Sequence, residues 1–293
     1  MMGRLIVLVL AVLLGAGCSV QMAYNNLDRL ARWSVSDYVD MTDRQRAYFD
    51  AAVADIWHWH RRDHLPRYAD FLEAVGPALV DGTDEAEMQA VVDRVFDWAQ
   101  EIQDRSVPVA ASFLASLDER QLVELADNLE ARNVEIAEPE AGASLAESQA
   151  LWREEFEDRF TQFSGRLTGV QRAYLEQRAG DYRPERVLWA DYRRRWQADF
   201  LALLAFRQDL DGLTRGLADL AEQRERYYGA ELADVFEANV DLNREASVWL
   251  VNSLTERQQT RFVERLNELA ADFRELAADG GPAPAEPPCL VTC

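Results

Sequence analysis

An all-α fold is what the sequence predicts, an antiparallel bundle of about eight to ten helices. Three observations point there. Apolar residues recur at three- and four-residue spacing from Ala23 to Ala278, as in Leu122, Leu125, Ala126 and Leu129, or Phe262, Leu266, Leu269 and Phe273; this is the period of one buried helix face. Runs of alternating β-branched residues are missing, and Asn-Gly or Asp-Gly hairpin signals are scarce. Glycine and proline gather where helices are expected to end, at Gly76-Pro77, Asp81-Gly82, Pro139, Gly165, Gly180, Pro184, Gly212 and Gly280-Gly281.

The chain opens with a segment that does not belong to the bundle. Arg4 gives a short positive region, Leu5 to Leu14 is an uncharged apolar run, and Gly15-Ala16-Gly17 places small residues before Cys18. A helix needs about 20 apolar residues to cross a bilayer, so residues 1–17 read as a signal peptide cut at a small-residue site. Leu14-Gly15-Ala16-Gly17-Cys18 resembles the lipobox of bacterial lipoproteins, with Gly15 where leucine is most usual. That resemblance implies a diacylglycerol on Cys18 and a short lipidated N-terminus at residues 18–22. Because Ser19 and not aspartate follows the cysteine, it also implies the periplasmic face of the outer membrane.

Helical units follow. Residues 23–140 form a first unit, 141–166 a connector with a helix, 167–278 a second unit, and 279–293 a proline-rich tail expected to be disordered. Each unit is marked by one local motif. It occurs as Met41-Thr42-Asp43-Arg44-Gln45, Leu117-Asp118-Glu119-Arg120-Gln121, Leu167-Thr168-Gly169-Val170-Gln171 and Leu254-Thr255-Glu256-Arg257-Gln258. This is a capping box: Thr or Asp accepts from the amide three residues on, and Gln reaches back to the cap amide. Gln45-Arg46-Ala47-Tyr48 returns as Gln171-Arg172-Ala173-Tyr174, and Ala69-Asp70-Phe71-Leu72 as Ala198-Asp199-Phe200-Leu201. Ordered correspondences of this kind predict that 41–140 and 167–277 are two copies of one unit, divided near Glu138-Pro139-Glu140-Ala141-Gly142.

Charge narrows the partners. There are 31 basic residues, all arginine, against 52 acidic ones, for a net charge of −21. Nucleic acid is excluded as a partner, since its binding rests on neutralising phosphates with cations. The same charge opposes lying flat on an anionic leaflet.

Candidate chemistry is confined to a few places. His58, His60 and His64 fall within Trp57-His58-Trp59-His60-Arg61-Arg62-Asp63-His64. His60 and His64 share a helix face at i,i+4, a workable spacing for two nitrogen ligands of zinc, while His58 lies about 160° away from His60. Without a metal the cluster reads as a pH-sensitive patch, or as packed Trp57 and Trp59 with the histidines, arginines and Asp63 on a solvated, salt-bridged face. Arg193-Arg194-Arg195-Trp196, beside Trp189 and Tyr192, is expected to bridge an acidic surface to its neighbouring helix, or else to bind carboxylates or carbohydrate. Cys289 and Cys293 suit a local disulfide in an oxidising compartment, with an intermolecular bridge and free thiols as alternatives. No nucleophile elbow, phosphate-cradling glycine loop, metalloprotease motif or dinucleotide fingerprint is present in the sequence, so a non-enzymatic protein is expected.

Two resemblances bear on function. Paired Leu-Thr-x-x-Gln boxes are similar to the signature of the Spy/CpxP periplasmic chaperones, which implies a helical cradle for unfolded chains. More broadly, the lipobox, Tyr24-Asn25-Asn26-Leu27-Asp28, Trp33, Tyr38-Val39-Asp40 and the segment from Trp57 to Leu65-Pro66-Arg67-Tyr68 resemble an uncharacterised family of helical bacterial lipoproteins. That family implies neither activity, cofactor nor catalytic residue. The expected function is therefore a protein-binding or chaperone-like envelope component, tethered to the membrane by lipid and acting on an envelope protein partner. A metal- or pH-responsive module built on His58, His60 and His64 is the alternative.

Overall fold

The computed structural model describes residues 21–22, 24–137, 144–280 and 284–290. Cys18, Cys293, the signal peptide and the boundary at Glu138–Gly142 lie outside them. The described residues are helical, without strands: α1 (Leu27–Ser36), α2 (Asp43–Trp59), a π-turn (His60–His64), α3 (Leu65–Val80), α4 (Glu85–Ala115), α5 (Glu119–Ala137), α6 (Leu145–Ser164), α7 (Gly169–Ala179), α8 (Arg186–Leu204), α9 (Leu210–Glu222), a short 3₁₀ turn (Arg224–Tyr227), α10 (Ala230–Asn252) and α11 (Glu256–Asp279). The π-turn joins α2 and α3 into one continuous rod. No helix among the described residues is long and apolar enough to cross a membrane.

All four boxes cap helices, and they do so in pairs. Thr42 starts α2, Thr168 starts α7 and Thr255 starts α11, each accepting from the amide of the glutamine three residues on; Asp118 does the same for Gln121 at the start of α5. The four glutamines are buried. Gln45 Nε2 donates to Gln121 Oε1 at 3.0 Å and Gln121 Nε2 returns the bond to Gln45 Oε1 at 2.8 Å. The second amide hydrogen of Gln45 goes to the Ser116 carbonyl, and that of Gln121 to the Asp40 carbonyl. Each Oε1 also accepts from the cap amide of its own box.

The second pair repeats this atom for atom. Gln171 and Gln258 exchange bonds at 3.2 and 2.9 Å, and donate onward to Ser253 and Arg166 carbonyls. A side-chain amide has two donors and an acceptor with two lone pairs. Every one is used here, so four buried glutamines carry no unmet group. The box therefore ties two helix starts together besides capping them.

The two halves exchange partners. α11 makes its most extensive packing with α3, and α5 packs on α8. One core cluster holds Met41, Tyr48, Leu117 and Leu125 with Leu204, Leu213, Leu220 and Tyr227. Another sets Tyr24, Leu65, Tyr68 and Trp98 against Leu269, Phe273 and Leu276. Gly76-Pro77 does not end a helix, contrary to expectation; α3 runs through both to Val80. At Gly76 a Cβ would lie 3.0 Å from Leu266 Cδ1, so the missing side chain lets α11 approach. Gly212 sits at the start of α9, where its amide donates to the Asp209 cap. Gly280 adopts φ 65° and closes α11 in the left-handed conformation that glycine accepts without a Cβ penalty. In the tail, residues 284–290 have no regular structure, yet Leu290 packs against the core and Arg44 donates to the Cys289 carbonyl.

Candidate functional site

The expectation of a solvated histidine face does not hold. His60 and His64 are 2% and 0% exposed, and Arg61 is buried with them, while Arg62 and Asp63 point outward and pair with each other. The reason is the π-turn. Its extra residue widens one turn, and both imidazoles face the layer formed by Tyr24, Tyr68, Trp98 and α11, their rings stacked 5.2 Å apart. Arg61 reaches the last carbonyls of α11 through Leu276 and pairs with Asp279, and it also holds Asn25 and lies over the Tyr24 ring. His58 stands apart, half-buried, with Nδ1 donating to the Gly280 carbonyl at 3.1 Å.

Four side chains form a single file. Tyr24 Oη lies 2.7 Å from His60 Nδ1, His60 Nε2 lies 3.3 Å from Tyr68 Oη, and Tyr68 Oη lies 3.0 Å from His64 Nδ1. His64 Nε2 then faces Glu101 Oε2 at 3.4 Å, at ion-pair range but off the line of a hydrogen bond. Glu101 is gripped by both Arg67 guanidinium nitrogens at 2.6 and 2.8 Å, which holds its carboxyl below the usual range.

An ionised carboxylate only accepts. Electrostatics favour the His64 tautomer with its proton on Nε2, facing that carboxylate, and Nδ1 then accepts from the Tyr68 hydroxyl. Tyr68 in turn accepts from His60 Nε2, and His60 Nδ1 accepts from Tyr24. In that tautomer every bond of the file points toward the carboxylate. Burial pushes His60 down to about 3, helped by the like charges of His64 and Arg61. It also lowers His64, against the pull of Glu101, and raises both tyrosines. Both imidazoles are neutral at pH 7.

Each nitrogen of the pair already has a polar neighbour. Three of the four nitrogens of His60 and His64 face tyrosine hydroxyls, and the fourth faces Glu101. Among the described residues, no group of three or more His, Cys, Asp or Glu side chains is placed to hold an ion. Cys289 is disulfide-bonded, which removes the free-thiol alternative for that residue; its expected partner Cys293 is not among the described residues.

The arginine cluster of α8 bridges helices. Arg195 donates twice to the Tyr227 carbonyl, Trp196 Nε1 to the Leu220 carbonyl, and Arg194 pairs with Asp191. Tyr24, Tyr68 and Glu101 were not legible as partners of the histidines. Tyr68 carried a signal, since it continues the i,i+4 row from His60 and His64; Tyr24 and Glu101 come from distant segments and carried none.

An apolar groove lies between α3 and α4. Its walls are Phe71, Val75, Ala78 and Leu79 of α3 and Ala90 and Val91 of α4, with Glu87 and Arg94 on the rim and a volume of about 360 Å³. Asn252 bonds both the amide and the carbonyl of Thr83, bracing the α3–α4 turn below it.

Residues 37–232, about two thirds of the chain, match a family of unknown function, DUF6279. The chain belongs to this family. No curated protein and no solved structure matches it. The DUF6279 match covers the first clasp, the π-turn, the groove and α8, and stops near the start of α10, before Gln258. DUF6279 assigns no activity to any of them.

Proposed function

We propose that this protein is a lipid-anchored envelope component that holds a cationic, amphipathic segment of another protein in the α3–α4 groove, without chemistry of its own. The groove carries this reading. Its walls present Phe71, Val75, Ala78 and Leu79 opposite Glu87, Ala90, Val91 and Arg94, rows spaced three and four residues apart on two helices. Such a channel suits the apolar stripe of a docked helix. A net charge of −21 favours a basic occupant and speeds its encounter. Anchoring is supported by the lipobox-like Leu14–Cys18 segment.

A photo-crosslinker placed at Val91 in intact cells tests the groove. The expected result is one defined adduct, lost when Val75→Glu puts a charge on the wall and absent when the crosslinker stands at the exposed Val123 of α5. Equal adducts at Val91 and Val123 would sink the idea. Labelled palmitate failing to enter the protein, or Cys18→Ala still fractionating with membranes, would remove the anchor.

A second reading has its own observation. His60 is buried and neutral against Tyr24, the residue that fastens the start of the described chain to the bundle. Protonating His60 would cost it the lone pair that receives Tyr24, making the contact an acid-sensitive latch.

A further inference from the structure

We infer that the outward face of α1, formed by Arg29, Leu30 and Trp33, with the exposed Met22 preceding the helix, rests in the headgroup region of the bilayer and fixes the attitude of the helical body. The inference rests on the anchoring reading. Of the eight tryptophans in the chain, Trp33 alone is exposed, at 66%. Met22 and Leu30 are exposed at 68% and 45%. Tryptophan favours the membrane–water interface, where its ring is half apolar and its N–H stays wet.

The orientation of α1 is not free. Tyr24 and Leu27 are buried in the core shared with α3 and α11. Arg32 pairs with Asp50 of α2 at 2.6 Å, and Gln21 donates to Glu275 of α11 at 2.8 Å. These ties hold the inner side of the segment against the body, so Leu30 and Trp33, about one turn apart, are turned away from it. Gln21 stands three residues after Cys18. Three residues of extended chain span at most about 10 Å. An acylated Cys18 therefore keeps the start of this segment within reach of the lipid.

Arg29 gives this face one cation for lipid phosphate. The body as a whole is repelled by an anionic leaflet, whereas the α1 patch carries Arg29, bounded by Asp37 and Glu275 at its edges. The apolar stems and ring enter the interface while the guanidinium meets phosphate. Acyl chains on Cys18 would supply most of the affinity. What the face adds is orientation.

The test uses the full-length lipidated protein in vesicles of phosphatidylethanolamine and phosphatidylglycerol, with and without brominated acyl chains as a tryptophan quencher. The wild type is expected to float with the vesicles and to be quenched. Trp33→Phe is expected to float equally well and to lose the quenching, and Leu30→Glu to reduce it with flotation unchanged. Flotation with identical quenching in the wild type and Trp33→Phe would overturn this inference while leaving the anchor intact. Failure of the wild type to float would remove the anchor and this inference together. Protection of Trp33 from aqueous iodide that grows with protein concentration in the absence of vesicles would assign the face to a second copy instead, and also overturn it.

Discussion

The Gln45–Gln121 and Gln171–Gln258 clasps share the bonds their amides make to each other, to a cap amide and to a backbone carbonyl, but the chain leaves them differently. After the first, α2 runs through the π-turn into α3 as one rod and buries His60 and His64. After the second, α7 stops at Ala179 and the helix resumes only at Arg186. There the gap is bridged by Asn239, which accepts from the Arg183 amide, donates to its carbonyl and reaches Glu185. At the offset that aligns Ala69-Asp70-Phe71-Leu72 with Ala198-Asp199-Phe200-Leu201, Trp189 and Arg193 stand where His60 and His64 do. A clasp is thus a reusable fastening. The individuality of each half lies in the rod or break beyond it, and the buried titratable file belongs to the first half alone.

The largest effect that would break this parallel is expected inside the clasps. Gln171→Leu leaves Gln258, buried, without one donor and one acceptor, and frees the Ser253 carbonyl and the Thr168 amide. At about 1–3 kcal/mol for an unmet buried group, a loss of roughly 2–4 kcal/mol is expected by urea denaturation. Gln45→Leu should cost the same within about 1 kcal/mol, since it leaves Gln121, the Ser116 carbonyl and the Thr42 amide unmet in the same way. Adding Gln258→Leu to Gln171→Leu should cost less than the sum of the single losses; strict additivity would mean that the paired amides are not coupled.

Acidification comes next and, between pH 6.5 and 5, should act chiefly on the first half, which holds all three histidines. Unfolded His60 titrates near 6.5 and native His60 at about 3. Between those values the unfolded chain binds the extra proton. Stability is therefore complete above pH 6.5 and falls as pH drops toward 3. The slope is about 1.4 kcal/mol per pH unit for one such group, or on the order of 2 kcal/mol between pH 6.5 and 5. His60→Phe should flatten the profile, and a slope unchanged by it would place the acid sensitivity elsewhere.

Smaller effects sharpen the contrast at the helix surface. Gly76→Ala should cost about 1 kcal/mol, because its Cβ would crowd Leu266; the aligned position in the second half is already Ala205. Arg274 holds Asp70 and Glu73 at an exposed edge. Arg274→Ala should lower the thermal midpoint only slightly, an effect that vanishes at high salt.

Much of this was legible, in a patchy way. The boxes announced α2, α5, α7 and α11, because capping is a local act over four residues. The boxes that start α4 at Asp84 and α6 at Ser144 carried the same signal with glutamate in place of glutamine, and went unread. Pairing of the boxes was not legible, since it requires helices about 80 residues apart in sequence to meet. Gly76-Pro77 looked like an end because the local cost of the dipeptide is visible and the burial of α3 on α11 is not. The i,i+4 relation of His60 and His64 could be read, but their charged neighbours suggested solvent. Only the π-turn sends Arg62 and Asp63 outward and leaves the imidazoles inside.

The exchange of partners between halves has a consequence for how the protein reaches its native state. α3 buries its main face against α11, and Arg274 of α11 meets Asp70 of α3 across 204 residues. A ribosome delivers α3 long before α11. Until the last helix emerges, the first half has its own clasp but an open side lined by Leu65, Ala69 and Tyr68. Contacts of such long range slow folding and leave apolar surface exposed in the meantime. A truncation removing α11 should therefore aggregate instead of yielding a folded half.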